Sequence, residues 1–268
     1  MVASTLSYLV AMPERPAYYL HQPPAGQRWR NTRGDFRQVA IEDARGLEPP
    51  PSLDREGFAL VHHRTAAADL GDEKAVREVY FAEVERLVAE ATGATRVLVF
   101  DYNLRSAAKP EDKPQGTQDP VRYVHNDYTE RSGPQRVRDL FGDEAEDLLR
   151  QRFAVVNVWK PIRGPVLTMP LAICDARSIR PDDLVPTDLH YEDRSGEVYS
   201  LTFDDGHRWF YFPRMQDDEV MLMKCYDSAA EPARFTAHTA FEDPDSPADA
   251  PSRESIEVRT LAFFAPEP

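Results

Sequence analysis

The sequence predicts a mainly β protein with flanking helices (α+β), of the sandwich or barrel kind. Three observations carry this. From Phe153 onward the chain is a succession of short apolar or alternating runs; turn clusters such as Arg163-Gly-Pro165 and Asp204-Asp-Gly206 separate them; and helical periodicity is confined to two stretches upstream. Strands this short and this regular argue against a parallel α/β sheet. A length of 268 residues with 41% apolar composition supports one large core. Residues 1–268 therefore read as a single domain, with 1–95 an N-terminal extension carrying a long helix and 96–264 the core. The stretches 111–119 and 242–252 read as long loops within that domain, not as linkers.

Taken in order, residues 1 to 60 are rich in Pro, Arg and aromatics, with strand-like pieces at 7–10, 17–20 and 57–62. Asp72 to Ala91 is the clearest helix. Acids open it, Val76, Val79, Tyr80, Val84, Leu87 and Val88 recur at helical spacing, and Thr92-Gly93 closes it. Arg96 to Tyr102 follows as a strand. Pro134 to Arg152 reads as a second helix, with Val137, Leu140, Phe141, Leu148 and Leu149 as its inner face. The later strands are expected at 153–159, 171–174, 198–203, 208–212, 220–226, 235–241 and 256–264.

Composition removes several function classes. A net charge of −14, with basic residues scattered among acids, argues against nucleic acid, which needs clustered Lys and Arg. Cys174 and Cys225 fit no metal or redox spacing and read as buried thiols in a reducing compartment. The apolar run 6–12 has no preceding Lys or Arg and is too short to span a membrane. A cytoplasmic location is expected, and the expected partners are a small-molecule substrate and, at most, a second copy of the chain in a homodimer.

Chemistry is concentrated at Arg122-Tyr-Val-His-Asn-Asp-Tyr-Thr129. In a strand, His125 and Asp127 point to one face, two thirds of the His-His-carboxylate set that holds iron(II) in oxygenases. The pair alone is weak, because seven His among 46 acids give about one such pair by chance. A competitor, His190-Tyr191-Glu192, lies in a charged run ending in a turn and reads as solvated loop. Adjacent His62 and His63 face opposite ways, so at most one could join a site. The second His is supplied by Phe235-Thr-Ala-His238-Thr-Ala-Phe241, where small neighbours leave room for a metal. Beyond it, Arg253-Glu-Ser255 enters the last strand with Arg253, Ser255, Glu257 and Arg259 on one face. A guanidinium with a hydroxyl beside it suits a carboxylate.

That ordered set resembles an iron(II)/2-oxoglutarate dioxygenase on a double-stranded β-helix (a jelly-roll, cupin-like core). More narrowly, the chain resembles the fungal and bacterial hydroxylase/desaturase family that includes the cephamycin-pathway hydroxylase, gibberellin desaturase-like enzymes and an aziridine-forming oxidase. The resemblance runs from about Gly57 to Phe264. It is carried by the segments 121–127, 156–161, 170–175, 209–213, 224–228, 238–241 and 251–259. Two departures are Ala237 where Pro is expected before the distal His, and Ser252 between Pro251 and Arg253. The resemblance implies Fe(II) bound by His125, Asp127 and His238. It implies 2-oxoglutarate held by Arg253 and Ser255, with Asn157 beside it and Arg259 as the competing anchor, and O2 as the third reactant. Tyr123, Trp159, Lys224, Tyr226 and Arg259 are candidates for touching substrate. The implied reaction is hydroxylation, desaturation or ring formation on a small molecule of secondary metabolism. Two other readings remain: a zinc hydrolase or lyase on a cupin-like barrel, which has no need of Arg253 and Ser255, and a non-catalytic binding barrel.

Overall fold

The computed structural model describes residues 1–265. The first strands are β1 (Val2–Leu9), β2 (Ala17–Tyr19), β3 (Gly34–Asp43) and β4 (Phe58–His62). A helix then begins as α1 (Glu73–Ala75), widens through a π turn at Val76–Tyr80, and continues as α2 (Phe81–Thr92). Strand β5 (Arg96–Ser106) and the two-residue β6 (His125–Asn126) precede helices α3 (Ser132–Phe141) and α4 (Ala145–Leu149). Strands β7 (Phe153–Pro161), β8 (Leu171–Cys174), β9 (Leu184–His190) and β10 (Ser195–Leu201) follow. The chain ends with β11 (Trp209–Tyr211), β12 (Glu219–Asp227), β13 (His238–Ala240) and β14 (Glu254–Phe263).

These strands form two sheets, a nine-stranded one ordered β1-β3-β11-β8-β13-β6-β10-β9-β2 and a five-stranded one ordered β4-β12-β7-β14-β5. The first 95 residues, expected as an extension, supply β1, β2 and β3 to the larger sheet and β4 to the smaller. β3 and β9 carried no clear strand signal. The expected second helix is broken at Gly142, where φ is +51°, so Pro134 to Arg152 folds as α3 and α4 instead of one rod.

The helix over 73–92 shows why its sequence works. Asp72 accepts a hydrogen bond from the Ala75 N–H at 3.0 Å and caps the start. Gly93 adopts φ +73° at the end, its N–H reaching the Ala89 carbonyl. The fully buried residues Val76, Tyr80, Val84 and Val88 repeat every four positions. An ideal α-helix rotates such a row by about 40° per step, so the row would swing off the sheet. The π turn over 76–80 takes up part of that rotation. The row packs on Val156, Val158 and Val258, the outward face of β7 and β14. Each such buried side chain contributes about 1.5–3 kcal/mol. The opposite face of the five-stranded sheet carries Asn157, Trp159, Met221 and Met223, and it is on this inward side that the polar residues of the site converge.

Candidate metal and co-substrate site

Two neighbouring strands of the large sheet place the histidines. His125 of β6 and His238 of β13 are direct cross-strand partners, with ring centroids 4.5 Å apart. Each ring turns Nδ1 toward the backbone carbonyl two residues upstream: Tyr123 O at 2.7 Å for His125 and Thr236 O at 3.1 Å for His238. A carbonyl can only accept, so Nδ1 carries the proton and Nε2 presents its lone pair. Asp127 stands just past β6, its Oδ1 3.4 Å from His125 Nε2. One donor atom from each of His125, Asp127 and His238 fits within 4.8 Å of the other two.

The far oxygen of Asp127 is occupied. Oδ2 accepts from Asn157 Nδ2 at 2.8 Å and from Arg259 Nε at 3.0 Å. Oδ1 is therefore the oxygen turned toward the histidines. Burial pushes the carboxyl pKa up, but Arg259, His125 and His238 outweigh it and hold the group well below the usual carboxylate range. Burial and the neighbouring His125 push His238 down, which keeps its ring neutral. A neutral imidazole and an ionised carboxylate are the forms that bind a divalent cation.

The strands are pinned around this centre by a residue that sequence reasoning missed. Asn126 is fully buried. Its Nδ2 donates to Tyr128 O at 2.6 Å and to Cys225 O at 2.8 Å, while its Oδ1 accepts from the Thr236 N–H at 3.1 Å. It thus ties the Asp127 turn to the segment leading into His238. Gly57 supports the same segment from below, at φ +91°. A Cβ there would lie 2.1 Å from Thr236 Oγ1, the hydroxyl that donates to the Gly57 carbonyl at 3.1 Å.

Beside the histidines lies a cavity lined by Trp159, Leu171, Arg253, Glu257 and Arg259. Arg253 is only 3% exposed, yet among the described residues its guanidinium makes a single hydrogen bond, from Nη1 to Met169 O at 2.5 Å. Its Nε and the Ser255 hydroxyl are buried without partners. Its guanidinium lies 5.5 Å over the Trp159 ring. Burial, with Arg105 repelling, pushes its pKa down to about 9, against which Glu257 acts weakly. Arg259 is in the opposite condition: it contacts Asp127, Asp101 and Glu257 at 3.0, 2.9 and 2.9 Å. One arginine pairs with three carboxylates, and the other, among the described residues, pairs with none.

Comparison with known proteins now decides the family. A family model described as "YDMC: Oxidoreductase/YMDC permease-like domain" matches residues 6–263. The Fe(II)/2-oxoglutarate-dependent dioxygenase nvfI of Aspergillus novofumigatus (strain IBT 16806) is 37% identical over 254 residues, covering 92% of this chain and 90% of that protein. Hydroxylase/desaturase CTB9 of Cercospora beticola is 34% identical over 291 residues, covering 94% and 89%. A solved structure, the iron and alpha-ketoglutarate-dependent endoperoxidase NvfI, superposes with a TM-score of 0.89 at 34% identity over 98% of both chains. This chain is an Fe(II)/2-oxoglutarate-dependent dioxygenase.

The dioxygenase accordingly uses Fe(II), 2-oxoglutarate and O2 and acts on a small molecule. The zinc-hydrolase and silent-barrel readings fall with that result. No helix among the described residues is long and apolar enough to cross a membrane.

Of the expected site residues, the structure gathers His125, Asp127, His238, Asn157, Trp159, Arg253 and Arg259 around one centre, and Ser255 lies two residues along the chain from Arg253 with its hydroxyl buried. Asn157 meets Asp127 instead of a co-substrate pocket. Three candidates lie elsewhere. The Tyr123 side chain faces Arg30, 4.9 Å away, on a separate surface hollow, and serves the site only through its carbonyl. Lys224 is buried against Asp227 at 2.9 Å and Asp54 at 2.5 Å. Tyr226 packs on Phe153 and Phe235 in the core.

Proposed function

We propose that His125 and His238 through Nε2, with Asp127 through Oδ1, hold the Fe(II), and that Arg253 with Ser255 binds the distal carboxylate of 2-oxoglutarate. The observation that carries the second half is Arg253 Nε, buried and unpartnered beside the histidines, with a second unpartnered donor, Ser255 Oγ, two residues along the chain. A buried guanidinium without a counter-ion is costly unless an anion arrives. A dicarboxylate reaching in from the metal would satisfy both donors, whereas the charge of Arg259 is already matched by three carboxylates. When bound, Fe(II) would supply the centre at which O2 is reduced, coupling oxidative decarboxylation of 2-oxoglutarate to succinate and carbon dioxide with oxidation of a C–H group of the substrate. The chain's own part is positional. Asn157 and Arg259 fix the Asp127 rotamer and keep it ionised; Asn126 holds the two ligand segments in register; Trp159 and Leu171 line the co-substrate cavity and limit water.

The reading takes the chain as one domain acting in the cytoplasm on a product of secondary metabolism, with hydroxylation, desaturation or ring formation set by the substrate's pose. All donors come from one chain, so a homodimer is not required for the site. The test is an anaerobic titration with Fe(II) and then 2-oxoglutarate, in the natural protein and in His238→Ala and Arg253→Met. A weak visible charge-transfer band needing both additions is expected in the natural protein. Loss in His238→Ala and a large rise in the 2-oxoglutarate requirement in Arg253→Met complete the expected pattern. A band that survives His238→Ala would refute the ligand assignment.

A further inference from the structure

Sharing Arg259 with the Arg253 cavity and lined also by Asp127, a cleft of about 520 Å³ opens to solvent, within the range of small-molecule sites. Asp127 and Arg259 form its inner end, Arg131 with residues 132–139 of α3 one wall, and the turn between β9 and β10 the rim. Its charges are unevenly satisfied. Among its acids, Asp101 is bound by Arg259 at 2.9 Å. Glu197 is engaged by Arg131 at 2.8 Å, and by Thr129 and Arg15. Asp139 accepts from Gln135 at 2.7 Å.

Two of its arginines are not so matched. Arg136 on α3 has its Nε buried without a partner. The nearest acid, Asp139, is 3.9 Å away, beyond hydrogen-bond distance. Its guanidinium lies 5.7 Å from the Phe100 ring and meets the hydroxyl of Tyr128. Arg194, at the rim, lies 3.9 Å over the Tyr191 ring instead of against a carboxylate. Rings below a guanidinium orient its donor edge without using it. The apolar lining is Leu189, Val198, Tyr128 and Tyr191.

We infer that this cleft binds the substrate and that the substrate is a medium-sized apolar molecule bearing one carboxylate, held by Arg136 with Arg194 at the rim. A single negative charge fits better than a doubly charged group, because Asp101, Asp139 and Glu197 share the cleft and would repel the second charge. The carboxylate anchors one end, and the inner end at Asp127 receives the carbon to be oxidised. This rests on the metal and co-substrate assignment above and adds the chemical class of the substrate to it.

The test uses anaerobic full-length protein loaded with Fe(II) and saturating 2-oxoglutarate, so that the Arg253 cavity is filled. Cinnamate, 2-naphthoate and decanoate are each compared with their neutral primary amides, read as perturbation of the charge-transfer band and by calorimetry. At least one acid should bind at least tenfold more tightly than its amide. Arg136→Gln should abolish that preference while leaving amide affinity unchanged, and Arg194→Ala should reduce it several-fold. Because Arg194 is exposed, its variant tests the idea even if Arg136→Gln folds poorly. Equal affinity for acids and amides, no saturable binding by any probe, or a preference that persists in both variants overturns the inference. The band itself remains in those cases, which separates this failure from failure of the metal and co-substrate assignment.

Discussion

Replacing Arg253 by Met tests the co-substrate assignment most sharply, because it keeps most of the side-chain volume and removes the charge with its N–H donors. In the natural protein a bound 2-oxoglutarate carboxylate would gain two charge-assisted hydrogen bonds from the free guanidinium edge, at about 1.5–3 kcal/mol each. Losing about 3–5 kcal/mol raises the dissociation constant roughly 10²–10⁴-fold. Stability should respond in the opposite sense from an ordinary core mutation. The variant loses the bond to Met169 O, about 1–3 kcal/mol, but it also removes a buried charge whose desolvation costs several kcal/mol. Without 2-oxoglutarate, Arg253→Met should therefore melt at or above the natural protein. At 2-oxoglutarate 100-fold over its dissociation constant, the Mn(II)-loaded natural protein gains about 2.7 kcal/mol, or about 5–10 °C for a chain this long. The variant should gain almost none of this at the same concentration. Differential scanning fluorimetry with and without 2-oxoglutarate reads both effects. An unchanged ligand-induced shift, or a ligand-free variant that melts far below the natural protein, would show that Arg253 is structural.

Asn157→Ala should weaken Mn(II) binding about 10–100-fold by calorimetry, since Asp127 Oδ2 loses one of its two anchors; unchanged affinity would show that Arg259 alone orients the carboxylate. Gly57→Ala meets both a positive φ and the 2.1 Å approach to Thr236 and should cost more than about 2 kcal/mol in urea unfolding, with reduced metal affinity because Thr236 positions His238. In acid, burial raises the pKa of Asp183 and Glu197, but their partners prevail: backbone and side chain of Arg180 with His207 for the first, and Thr129, Arg131 and Arg15 for the second. Both are held below the ordinary carboxylate range. Groups with depressed folded pKa stabilise above their unfolded values and lose that contribution as pH falls through the folded ones. Stability should thus hold down to about pH 4 and fall below it, and a metal-free melting profile that declines already between pH 7 and 5 would contradict this.

That His125, Asp127 and His238 come together was legible because the spacing is local at one end and because His238 lies between small residues in a strand-like run. Arg253 was legible from its spacing to Ser255 and the following alternation. What the sequence could not show was which of two arginines is already neutralised. That depends on Asp101 and Asp127, 158 and 132 residues from Arg259 along the chain. Lys224 and Tyr226 misled for a related reason. Strand β12 carries a bulge between them, which resets the alternation of faces. Lys224 also finds its partner in Asp54, 170 residues away. Asn126 gave no signal at all, since two of its three bonds go to backbone atoms of Cys225 and Thr236 that only the closed sheet brings near. The break at Gly142 was hidden because glycine permits a positive φ without demanding it.

The turn joining β9 to β10 has a consequence for how such an enzyme could change its trade. Strand β10 pairs with the His125 segment through Tyr199 and Ser200, but the turn at its far end, carrying Tyr191 and Arg194, contributes nothing to the ligand set. Residues there can be exchanged, lengthened or recharged while the oxidising centre stays fixed by pairings elsewhere in the sheet. Selectivity and reactivity are thus inherited separately. A library confined to residues 191–195, which leaves the buried Glu197 in place, would sample new substrates at little risk to the chemistry, and would be the economical place to begin redesign.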